Sequence, residues 1–147
     1  MPLRTAKRPK IKLMDRSMLP VQPVNDHQRK PDAWFRSERH LAHVRTLACA
    51  CGCGVVPGNE LNPIEAAHVR TATDGCAGEK PSDVFVLPLA ARCHRIQHSM
   101  SEAAFWRDRG VVDPAGLALT MATHSPCSRT RKAATAVIEG RDWRTAE

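Results

Sequence analysis

Hydrophobic residues first settle into a regular pattern about 33 residues into the chain. Trp34, Leu41, Val44 and Leu47 recur at helical spacing, and charged residues occupy positions between them. This pattern predicts a helix over residues 33–47. Residues before it show no period and include five prolines, which exclude a long helix and predict a disordered tail.

Two short hydrophobic runs farther along predict strands. The first is Ile64–Val69, and the second is Val84–Leu87, which we expect to stop at Pro88. Residues 71–83 between them are mostly small and polar and predict a loop. Residues 49–58, before the first strand, hold three cysteines among glycines, which predicts a turn-rich knuckle.

The second half of the chain is predicted to be helical. A helical stretch runs from Leu89 to Arg109 and ends at Gly110, a residue typical of helix C-caps. Ser99 and Glu102 have the spacing of a capping box, so the stretch is expected to break near Ser99.

A further helix is predicted after that stretch. Asp113-Pro114 suits an N-cap and first turn, and the helix should continue to Thr123. Residues 129–139 predict either a last helix or a frayed tail.

The order of elements is helix, cysteine knuckle, strand, loop, strand and helices, which predicts a small α+β fold. We expect a domain at residues 34–124, a basic tail at 1–33, and a C-terminal tail or short helix at 125–147. Aromatic residues make up only 4% of the 147 residues and tyrosine is absent, so a metal or disulfide staple would help stabilise so poor a core.

Cysteine usage bears on where the protein works. No hydrophobic run is long enough for a signal peptide or a membrane span, so we expect a cytoplasmic protein without membrane contact. In that compartment clustered cysteines are more often metal ligands than disulfides. The six cysteines are Cys49, Cys51, Cys53, Cys76, Cys93 and Cys127.

The formal net charge of +7 is concentrated at the start of the chain. Residues 1–40 carry ten basic and four acidic side chains, while residues 41–147 carry twelve and eleven. Such a tail suits a polyanion, because each cation near a phosphate releases a counterion. A solvated tail without a ligand explains the charge equally well.

Candidate chemistry centres on three histidines and one aspartate. His94 and His98 are four residues apart in a predicted helix and share one face, where they could hold a cation, although such a pair alone is more often a solvated face. If the strands pair, His68 lies near the start of that helix and could accept a proton from water. Asp83, before the second strand, could pin the loop or orient His68.

Three motifs in order carry a resemblance to a known family. They are Glu65-Ala-Ala-His68-Val-Arg70, Gly78-Glu-Lys-Pro-Ser-Asp83 and Pro88-Leu-Ala-Ala-Arg-Cys93-His94-Arg-Ile-Gln-His98. Together, over residues 40–120, they resemble HNH (ββα-metal) endonucleases of phage and prophage origin, including the RecA-dependent nuclease Ref and the YbcO-type proteins. The spacing of the histidines and of Asp83 also resembles that of the nuclease colicins.

The resemblance implies a metal-dependent hydrolysis of DNA phosphodiester bonds. His68 takes the position of the general base, Asp83 that of the middle residue of HNH, and His94 and His98 those of the ligands to a catalytic Mg²⁺, Mn²⁺, Ni²⁺ or Zn²⁺. The chain departs from many HNH enzymes at Ala67, where they carry a further ligand. The resemblance also implies a bacterial host cytoplasm and a host recombination protein such as RecA as a further partner.

The resemblance also implies a structural zinc knuckle, a feature that relatives of this kind share. Here the first half reads Cys49-Ala-Cys51-Gly-Cys53, and Ala90 stands where the second half would have a cysteine, leaving Cys93. Cys51 is the natural fourth ligand of a closed tetrahedral site. The alternative is a zinc site that has decayed.

Four cations around these motifs are candidates for contacts with the DNA backbone, which position a duplex without reading its sequence. They are Arg70, Lys80, Arg92 and Arg95. Two other functions compete with the nuclease: a catalytically inactive, zinc-stapled DNA-binding module, and a phage protein that binds a host recombination factor.

Overall fold

The protein is described by a computed structural model over residues 35–72 and 80–145. Within these residues it is an α+β protein with five α-helices and a two-stranded antiparallel sheet, so the predicted class is confirmed. The helices are α1 (Glu38–Val44), α2 (Ala91–Ser99), α3 (Glu102–Asp108), α4 (Pro114–Thr123) and α5 (Ser128–Ile138), and the strands are β1 (Ile64–His68) and β2 (Val86–Ala90). The predicted tail 1–33, Trp34 and Cys76 lie outside the described residues.

The two strands pair so that Ile64 lies opposite Ala90 and His68 opposite Val86. The prediction that Pro88 stops the second strand is wrong, since β2 runs through it to Ala90. A two-stranded sheet has only edge strands, where a proline nitrogen needs no partner. The carbonyl of Pro88 instead accepts a 2.7 Å hydrogen bond from the Ala50 N–H and fixes the knuckle to the sheet.

Helix α1 is shorter than the predicted 33–47. It begins at Glu38 because the Ser37 hydroxyl accepts a hydrogen bond from the His40 N–H at 3.2 Å, as an N-cap does. His40 is fully buried, and its Nδ1 lies 3.1 Å from the Ser125 hydroxyl. Burial lowers the pKa of His40 to about 4, so the ring is neutral near pH 7.

The long helical stretch breaks where the sequence indicated, but for another reason. Helix α2 ends at Ser99 and α3 begins at Glu102, whereas Leu89 and Ala90 belong to β2. The predicted capping box is wrong: Glu102 does not cap α3 but accepts hydrogen bonds from the Thr71 N–H at 2.7 Å and from Gln97 Nε2 at 2.6 Å. Gly110, with φ of 70°, ends α3 as expected.

The last two helices complete a second core. Helix α4 begins as predicted, with the Asp113 side chain accepting a hydrogen bond from the Gly116 N–H at 2.9 Å. Residues 128–138 form helix α5, which buries Ala133 and Ala134 against Phe35. The first core lies around the sheet and includes Leu87, Leu89, Phe105 and Trp106. No helix in the described part of the chain is long and apolar enough to cross a membrane.

Candidate metal centre and histidine site

Four cysteines meet between the knuckle and the first turn of α2. The Sγ atoms of Cys49, Cys51, Cys53 and Cys93 all lie within 4.8 Å of one another. Three of the separations are 3.2, 3.4 and 3.8 Å, close to the roughly 3.8 Å between thiolates that share one tetrahedral zinc. The described residues therefore contain a four-cysteine cluster that could hold a metal such as zinc.

Backbone hydrogen bonds position this cluster. The Cys49 N–H donates to the Val55 carbonyl at 3.0 Å and closes the knuckle. The turn between them needs the positive φ angles of Gly52 and Gly54, 74° and 84°, which glycine adopts without strain. The Ala90 N–H donates to Cys49 Sγ at 3.2 Å. Ala90 thus takes part through its backbone although it lacks the cysteine side chain of the related motif.

The thiols differ in how readily they ionise. Burial raises the pKa of Cys49 to about 11 and raises those of Cys51 and Cys93. Slight burial also acts to raise the pKa of Cys53, but hydrogen bonds from the Val55 backbone and the neighbouring thiols lower it to about 7. A bound cation would favour the thiolate at all four positions.

A second group forms where β1 ends and the short 3₁₀ turn Asp83–Phe85 leads into β2. His68 Nε2 lies 2.9 Å from Asp83 Oδ1, and Asp83 Oδ2 accepts a 2.8 Å hydrogen bond from the Ser37 N–H. Arg36 lies 3.2 Å from the same carboxylate. The sequence indicated a role for Asp83 next to His68, and the geometry brings the two together.

Ionisation of Asp83 determines which nitrogen of His68 is free. Burial acts to raise the pKa of Asp83, but the hydrogen bonds from His68 and Ser37 and the charge of Arg36 outweigh it, so the pKa is lowered. An ionised carboxylate only accepts hydrogen bonds, so Nε2 of His68 must carry a proton. In the neutral ring Nδ1 is then the acceptor, and it has no hydrogen-bond partner among the described residues.

The third group consists of His94, His98 and a residue that sequence reasoning did not single out. The two histidine Nε2 atoms are 3.1 Å apart, within the roughly 3.0–3.4 Å expected of two imidazoles on one divalent ion. Glu65 Oε2 lies 2.6 Å from His94 Nδ1. A carboxylate on the far nitrogen of a histidine ligand fixes its orientation. Burial and the neighbouring His94 lower the pKa of His98, which favours the neutral, ligating form.

Glu65 becomes recognisable once the face of β1 that packs against α2 is known. Successive side chains of a strand point to opposite faces, so Glu65 and Ala67 share a face. Ala67 is fully buried in the first core together with Cys93 of α2. The contact of Glu65 Oε2 with His94 Nδ1 shows that this face of β1 lies against α2.

Gln97 connects the histidine groups. It is fully buried in α2 between His94 and His98, and its Nε2 donates to the His68 carbonyl at 3.3 Å as well as to Glu102. The side chain thus ties the end of β1 to the helix that carries the two other histidines.

The predicted DNA-contacting cations lie around these groups. Lys80, Arg92 and Arg95 are exposed, and the last two are three residues apart on α2. Arg70 is also exposed, and its guanidinium donates to the Gln97 carbonyl at 3.2 Å.

Comparison with known proteins identifies no family for this chain: no family model, no curated protein and no solved structure matches it. The candidate function therefore rests on these residues and their geometry.

Proposed function

We propose that the chain is a metal-dependent DNA endonuclease of the HNH type, in which β1, β2 and α2 form the ββα-metal unit. Gln97 connects two groups of side chains, and this connection is the observation that carries the proposal. One is a histidine whose Nε2 is held by a buried aspartate, and the other is a histidine pair at ligand spacing.

Each side chain then has a defined task. Nδ1 of His68 accepts a proton from the attacking water, and Asp83 holds the protonated Nε2 and stabilises the imidazolium that forms. The scissile phosphate binds beside His94 and His98. A divalent cation bound there would neutralise charge on the phosphate and on the leaving oxygen. The products are a 5′-phosphate and a 3′-hydroxyl, as in the family the sequence resembles.

Glu65 is a positioning residue in this proposal. Its contact with His94 Nδ1 leaves Nε2 of that ring directed to His98 and the cation. Glu65 lies on the same strand face as Ala67, where many HNH enzymes carry another ligand. Two histidines, a phosphate and water would then hold the cation, which predicts a weak site that fills with substrate present.

The other features fit the same assignment. Zinc at Cys49, Cys51, Cys53 and Cys93 would fix the knuckle beside the catalytic strands. Arg70, Lys80, Arg92 and Arg95 would contact the DNA backbone without reading sequence. We place the protein in the cytoplasm of a bacterial host, with phage or prophage origin and a RecA-like recombination partner as further parts of the proposal.

The test is nicking of supercoiled plasmid in Mg²⁺, Mn²⁺, Ni²⁺ and Zn²⁺ by wild type, His68→Ala and the control His124→Ala. His124 is exposed at the end of α4 and its Nδ1 lies 2.9 Å from the Thr120 carbonyl. Loss of a general base should slow cleavage about 10²- to 10⁴-fold, whereas the control should match wild type.

Equal rates for wild type and His68→Ala in every metal would overturn the catalytic assignment. DNA binding without cleavage would favour the inactive zinc-stapled module instead, for which the four-cysteine cluster is the supporting observation. Retention of RecA without DNA binding or cleavage would favour a phage protein that acts on a host factor.

A further inference from the structure

A basic surface on α5 remains outside the proposed nuclease site. Arg129, Arg131 and Lys132 lie exposed in the first half of that helix. The chain contains no aspartate or glutamate from residue 114 to residue 138. None of the three cations forms an ion pair with an acid in the described ranges, so no acid in that part of the chain neutralises their charge.

Two of the three cations are held in place. The guanidinium of Arg129 lies 5.0 Å from the centre of the Phe35 ring, a cation–π arrangement. Arg131 donates to the Ser125 carbonyl at 2.6 Å. Lys132 is three residues from Arg129 and therefore lies on the same side of the helix. Ordered cations lose less conformational freedom when they bind a phosphate than free side chains do.

This surface is connected to the histidine site by short contacts. The Thr130 hydroxyl donates to the Ser37 hydroxyl at 3.1 Å, and the Ser37 N–H donates to Asp83 at 2.8 Å. Asp83 in turn holds His68. Arg36 contacts both Asp83 and the carbonyl of Lys80. Since Arg129 lies over the ring of Phe35, it contacts the residue next to Arg36 in the chain.

Acidic groups near this surface are paired elsewhere. Glu38 lies 2.9 Å from Arg45, and Asp142 lies 3.2 Å from Arg144. Glu139, beyond the end of α5, pairs with Arg141. The field above the first half of α5 is therefore positive and suits a polyanion.

We propose that Arg129, Arg131 and Lys132, together with Arg36 and Lys80, bind the phosphate backbone of duplex DNA away from the bond cut at His68. We call these five residues the α5 basic surface. The choice of DNA as the polyanion rests on the proposed function. The positive charge of the surface rests on its residues alone. Its contacts are with phosphates only, so binding there is independent of sequence.

The test measures binding of a duplex of about 30 base pairs by fluorescence anisotropy, without added catalytic metal, from about 50 to 200 mM salt. The variant is Arg129→Gln/Lys132→Gln, and the control is Arg107→Gln/Arg109→Gln at the C-terminal end of α3. The control removes the same charge and also one stacked arginine, since Arg109 lies 3.8 Å from the centre of the Phe105 ring.

We expect the α5 variant to bind the duplex more weakly than wild type. The slope of log affinity against log salt should become shallower by about 1.8, because the variant loses two phosphate contacts at about 0.9 each. Between the two salt concentrations its affinity ratio to wild type should change about tenfold. The control should keep the wild-type slope.

Each other outcome overturns a distinct statement. Equal salt slopes for wild type and the α5 variant would refute the surface. The surface would also be refuted if variant and control lost affinity equally, or if wild type bound no duplex. Equal loss with duplex RNA would refute the restriction to DNA. Salt-dependent binding through α5 with no cleavage in any metal would leave the surface standing and refute the nuclease.

Discussion

Two adjacent residues of α2 belong to two differently constructed sites. Cys93 joins three cysteines of the knuckle, and His94 joins His98 and Glu65. Four thiols fill a tetrahedral coordination shell and leave no position for substrate, whereas two imidazoles leave most positions open. The first arrangement suits a structural metal, and the second suits a cation that must contact a substrate.

The two sites also differ in what holds their ligands. Backbone hydrogen bonds fix the knuckle to β2, through the Ala50 N–H on Pro88 and the Ala90 N–H on Cys49. Side chains fix the histidine groups: Asp83 for His68 and Glu65 for His94. Since β2 and α2 serve both sites, damage to the cysteine cluster should spread to the histidines, whereas loss of a histidine contact should stay local.

The largest expected effect follows from Cys93→Ser. Removing one of four ligands should lower bound zinc from about one ion per chain to near zero and destabilise the fold by about 4 kcal/mol or more. Plasmid cleavage should be lost with it, because α2 carries His94 and His98. Elemental analysis, urea unfolding and the nicking assay measure the three effects.

Cys127→Ser is the matched control for this variant. Cys127 lies outside the cluster, and its Sγ is 3.6 Å from the Ser37 hydroxyl. The Cys127→Ser variant should therefore keep its zinc. Unchanged zinc content and unfolding midpoint in Cys93→Ser would show that the cluster is not a structural metal site.

A smaller and more local effect is expected from Glu65→Ala. Without the carboxylate the His94 ring is free to turn, so affinity for the catalytic cation should fall about 10- to 100-fold while zinc at the cysteines stays bound. Titration of cleavage with Mn²⁺ measures the shift. Glu60→Ala, which removes an exposed carboxylate from the loop before β1, should leave the titration unchanged. An equal shift in both variants would indicate a general charge effect.

Local signals in the sequence predicted several elements correctly. The Asp113-Pro114 pair predicts the start of α4 because a cap depends on neighbouring residues alone. The glycines between Cys49 and Cys53 permit the positive φ angles of the knuckle, and the resemblance to HNH proteins adds Cys93; the four thiols do lie close together.

Features that depend on tertiary contacts were missed or predicted wrongly. Pro88 lies inside a strand because no third strand in the described part of the chain needs its nitrogen. His40 is buried because Ser125, eighty-five residues away in sequence, provides a partner. Glu65 became recognisable only once the strand face that packs against α2 was known. Each depends on which surface another element covers, and spacing along the chain does not specify that.

Glu102 provides the smallest test of the separation between the two sites. Its carboxylate accepts hydrogen bonds from the Thr71 N–H and from Gln97, and Gln97 also holds the His68 carbonyl. Glu102→Ala leaves the part-buried Thr71 N–H without this acceptor and removes one of the two acceptors of the buried Gln97 amide, which should cost about 1–2 kcal/mol of stability. Cleavage should slow modestly because the end of β1 loses part of its support.

Zinc content of Glu102→Ala should equal that of wild type, since the network touches none of the cysteines. Glu38→Ala, which removes only an exposed ion pair with Arg45, should change stability by less than about 0.5 kcal/mol. Urea unfolding and elemental analysis of both variants decide the matter. Zinc loss in Glu102→Ala would mean that the two sites share their support after all, because a defect behind His68 would then have reached Cys93 through α2.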